Sequence, residues 1–107
     1  MIYRFKSKAG ADVIMLQPQG EQILRLLGRE PSPQGILRGA ELLAAISTLE
    51  LAVAEDEAAF ARLQAEAAAA GEPLPRREGI SLQQRAWPLV ELIRHAQRAG
   101  ADLVWGV

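Results

Sequence analysis

From Ala40 to Ala70 the chain contains neither proline nor glycine. Nothing in that segment stops a helix, and its abundant alanine favours one. Leu42, Ile46, Leu49, Val53, Phe60, Leu63 and Ala67 recur at alternating steps of four and three, the spacing of one helical face. The one place missing from that series is position 56, which is an aspartate. A helix of thirty residues is about 45 Å long at 1.5 Å per residue, whereas a compact chain of this size has a radius of gyration of only about 13 Å. Such a helix must overhang its own core, bend or fray, and every expectation about the rest of the chain follows from that mismatch.

The remaining residues supply the smaller elements. Ile2 to Lys6 alternates apolar and basic side chains and reads as a strand. After Ser7–Ala11, with Gly10 free to take a positive φ, Val13–Leu16 reads as its antiparallel partner across a five-residue connection with a bulge. Arg4, Lys6 and Lys8 suit an edge strand protected by charge. Pro18 sits where a first helical position accepts proline; Ile23, Leu24 and Leu27 share a face, and Gly28 marks the stop. Pro31–Gly35 is loop, and Ile36-Leu37 is a short extended piece. Gly71–Gly79 lacks periodicity and reads as a mobile loop. Ser81 and Gln84 have the capping-box spacing, so a helix opens at Leu82 and closes at Gly100, kinked at Pro88. Asp102–Trp105 then forms a last strand beside the N-terminal hairpin.

The expected fold is α+β. A small three-stranded sheet, the hairpin plus the C-terminal strand, is covered by two to three helices, one of them long. The 107 residues suit a single domain, 1–107. Half are hydrophobic and 23% charged, which argues against a disordered chain. The absence of cysteine excludes disulfides, thiolate metal sites and a cysteine nucleophile, and fits a reducing, cytoplasmic setting. No apolar run reaches the roughly 20 residues of a membrane span, and charges interrupt the first apolar stretch, unlike a signal peptide.

Two stretches, Tyr3–Leu16 and Ser81–Leu89, with the ending Ala101–Val107, together resemble an uncharacterised bacterial family, domain of unknown function 1840, found mainly in proteobacteria. The likeness covers essentially the whole chain and thins out around residues 64–79. It implies a small cytoplasmic protein with no assigned activity, and it supplies no catalytic residue.

Chemistry-bearing residues are few. His95 stands four residues after Glu91, so the two share a helix face. Two ligands do not make a zinc site, so no metal and no cofactor is expected. Ser7, Ser32, Ser47 and Ser81 lie in no nucleophile elbow, and there is no phosphate-binding glycine loop. Gln84–Pro88 is the most unusual segment. Arg85 offers a fork for carboxylate or phosphate, Pro88 frees the Gln84 carbonyl, and Trp87 is large and partly polar. An anionic-ligand or enzymatic site at Arg85, Trp87 and His95 is therefore one expectation. The bland alternative puts Trp87 in the core or a subunit contact and pairs Arg85 with an acidic residue of the long helix.

Charge is unevenly spread. Residues 1–39 carry six Lys/Arg against three Asp/Glu, whereas residues 40–70 carry Arg62 against six acidic groups. The first half of that contrast offers a weak nucleic-acid strip on Arg4, Lys6 and Lys8. Alternation points Tyr3 and Phe5 the other way, which makes nucleic acid an unlikely partner. The favoured expectation is a non-enzymatic interaction or regulatory module that forms a homo-oligomer. Its interface is Ile46, Leu49, Val53, Asp56, Phe60 and Leu63 of the long helix, with Asp56 near Arg62 of another subunit. The competing possibility is that Asp56 turns to the rim and the seam packs inside its own domain.

Overall fold

A computed structural model describes residues 2–106. Strand β1 (Ile2–Ser7) turns through Lys8-Ala9 into β2 (Gly10–Leu16), and α1 (Gln17–Leu26) follows at once. Strand β3 (Gly35–Leu37) precedes a single 3-10 turn, Gly39–Glu41. Helices α2 (Leu42–Ala69) and α3 (Leu82–Ala99) come next, and β4 (Leu103–Trp105) ends the described fold. The fold is α+β with three helices, one long, on an antiparallel sheet.

The sheet has four strands in the order β2-β1-β4-β3, which corrects the expected three. The extra strand is the Ile36-Leu37 piece: Gly35, Ile36 and Leu37 pair with Trp105, Val104 and Leu103. A three-residue run between loops carries no period of its own, so only its long-range partner makes it a strand. Gly35 is required there because a Cβ would run into the Trp105 indole. The hairpin also differs. Its turn is two residues long, the irregularity falls between Phe5 and Ser7, and Gly10 is not among the positive-φ glycines. Space explains Gly10 instead, since a Cβ there would lie 3.0 Å from Leu92 Cδ1.

Alternation along the strands decides which face meets the helices. Tyr3, Phe5 and Met15 are buried with Ile23, Leu24, Leu42, Leu49, Leu89, Ile93, Leu103 and Trp105 in one cluster. Each of the larger fully buried side chains contributes roughly 1.5–3 kcal/mol of transfer free energy. Ile2, Arg4, Ile14 and Leu16 point to the opposite, exposed face.

Caps fix the ends of α3. Ser81 Oγ accepts from the Gln84 backbone N–H at 3.2 Å, and Gln84 Oε1 accepts from the Ser81 N–H at 3.1 Å. Gly100 closes the helix at φ +68°, a left-handed conformation that glycine adopts without steric cost. The helix runs unbroken through Pro88.

Helix α2 is 28 residues long, or about 42 Å, in a molecule whose longest extent is 51 Å. Its buried residues are Leu42, Ala45, Ile46 and Leu49 only. Beyond Val53, which packs on the edge of the core, the helix projects as an arm. The radius of gyration, 15.9 Å, exceeds the roughly 13 Å of a compact chain this size. Of the three outcomes open to so long a helix, overhang is the one observed.

Candidate functional site

The expected α2 interface divides in two. Ile46 and Leu49 are buried in the chain's own core, so they are not available to a second subunit. Val53 is half-buried against that core. Asp56 and Phe60 are engaged by Arg77 from the segment that returns from α2 to α3. The Arg77 guanidinium reaches Asp56 Oδ2 at 3.1 Å and Glu57 Oε1 at 3.2 Å, and it lies 4.4 Å from the Phe60 ring centroid. Only the Asp56 contact has hydrogen-bond alignment; Glu57 adds charge. Asp56 thus has a cation within its own chain. The 71–79 segment, expected to be mobile, is pinned to α2 at this point. Leu63 alone of the expected set stays open, 55% exposed.

The expected ligand residues do not converge. Arg85 is half-buried and donates from Nη1 to Gln22 Oε1 of α1 at 3.0 Å. That corrects the pairing with an acidic residue of α2; Arg94 makes that link, to Glu50 at 2.7 Å. Trp87 is 54% exposed, so it is not a core residue. His95 is exposed and lines none of the grooves described below. Arg85 borders a groove along β2, whereas Trp87 borders a hollow against α2. Among the described residues no group of three or more His, Asp or Glu could hold a metal ion.

Three openings adjoin one another across the first half of α3. The first is a groove of about 460 Å³ along the free edge of β2, walled by Val13, Met15, Ile80, Gln84, Arg85 and Pro88. The second is shallow and formed by Gln83, Gln84, Trp87 and Pro88, sharing Gln84 and Pro88 with the first. The third is a hollow of about 220 Å³ between α2 and α3, where Val53, Ala54, Ala86 and Val90 meet Trp87. Ile80 (63% exposed) and Trp87 make this band apolar. Sequence pattern singled out Trp87 and Pro88 but missed Ile80, whose loop position carries no periodic signal. On the basic hairpin, Tyr3 and Phe5 are buried, as alternation required, and Arg4 faces Asp12 at 3.8 Å.

Among the described residues, Glu41 is the carboxyl held away from its ordinary pKa. The Arg29 guanidinium, at 2.7 Å, and then the Arg38 backbone N–H hold its carboxyl below the usual 4.5. The pair ties the loop after α1 to the turn that leads into α2.

Fold and surface together define an α+β helix-on-sheet protein with shallow apolar grooves and no catalytic constellation among its described residues. The chain belongs to the family described as domain of unknown function 1840 (DUF1840), whose model matches residues 1–105. It matches no curated protein and no solved structure. None of the helices described is long and apolar enough to cross a membrane.

Proposed function

We propose that residues 1–107 form one domain that acts as a non-enzymatic interaction module, docking a partner protein at the hollow between α2 and α3. The observation that carries this reading is Trp87: a half-exposed indole beside an open apolar hollow. Burying a tryptophan is costly to forgo, and such side chains dominate the energetics of protein contacts. Glu50 borders the same hollow, and residues 40–70 carry a strong acidic excess. The fitting partner offers one large apolar side chain flanked by Lys or Arg. The lack of cysteine supports a cytoplasmic setting for this role.

The test uses a photo-crosslinking amino acid at Gln83, on the rim of the hollow, in the producing cell. The expected product is a discrete heterologous conjugate that disappears when Ala54→Leu fills the hollow. Conjugates to a second copy alone, or conjugates indifferent to Ala54→Leu, refute the reading. The anionic-ligand alternative is supported by Arg85 on the groove along β2, whereas Trp87 borders the neighbouring hollow and His95 lines neither.

A further inference from the structure

We draw no further inference here: the strongest candidate, the exposed face of α2 that runs from Ala44 through Leu51, Ala54, Ala58 and Ala61 to Ala65, is a stripe of mostly small residues, and nothing in the structure shows what covers it.

Discussion

The two halves of α2 obey the same sequence rule and meet different fates. Leu42, Ile46 and Leu49 sit at the same four-three spacing as Phe60, Leu63 and Ala67. The first three are fully or nearly fully buried; the last three are not. In the first half, the sheet and α3 supply the covering surface. In the second, Arg77 of the returning segment lies across Asp56, Glu57 and Phe60. An apolar stripe declares that a helix has a face to bury; it does not state how much neighbour exists to bury it.

That contrast can be broken most forcefully at matched leucines. Leu49→Ala should cost about 2–5 kcal/mol in urea unfolding, the range for a large-to-small change in a packed core. Leu63→Ala, at the equivalent phase in the arm, should cost within about 0.5 kcal/mol. Equal losses at the two sites would mean that the arm is packed as tightly as the core.

Arg77→Ala should come next, at about 1 kcal/mol, the scale of a partly exposed ion pair with a cation–π contact. Its signature is regional: amides of residues 57–69 exchange faster while those of 45–52 keep their protection. Arg77→Lys should restore only part of it, since a point charge cannot bridge two carboxylates and a ring together. Ala61→Gly sharpens the same boundary at somewhat under 1 kcal/mol, the propensity difference between the two residues. It should raise exchange in the arm without moving the main thermal transition.

The smallest effect concerns the anchored end of α2. Because the folded chain lowers the Glu41 pKa below 4.5, Glu41 adds stability above that value. The contribution is lost as pH falls through the folded pKa. Glu41→Gln should therefore flatten the fall in urea midpoint below about pH 4.5 and leave the alkaline side unchanged. An identical acid slope in both proteins removes Glu41 from the account.

Local chemistry made much of this legible beforehand. The α3 capping box needs only Ser81 and Gln84 three residues apart, and Gly100 needs only its missing Cβ. The alternation of Tyr3 and Phe5 with Arg4 and Lys6 assigns strand faces without any knowledge of what lies behind them. Strand β3 escaped because its identity rests on hydrogen bonds to β4, some 70 residues away. The Arg77 clamp escaped because a loop arginine next to another, Arg76, shows nothing in sequence about which one turns toward a helix. The candidate surface was half legible: Trp87 and Pro88 stood out by type, whereas Ile80 and the free edge of β2 gained meaning from strand order.

By itself the sequence determined the helices, the hairpin, the family and the length that no small core can shelter, since these depend on contacts within a few residues or on residue type alone. Only the tertiary structure decided which half of α2 is covered, which cation answers Asp56 and which strand is left at the edge. Those outcomes depend on loop closures spanning tens of residues, where the chain chooses among neighbours that local pattern treats as equivalent.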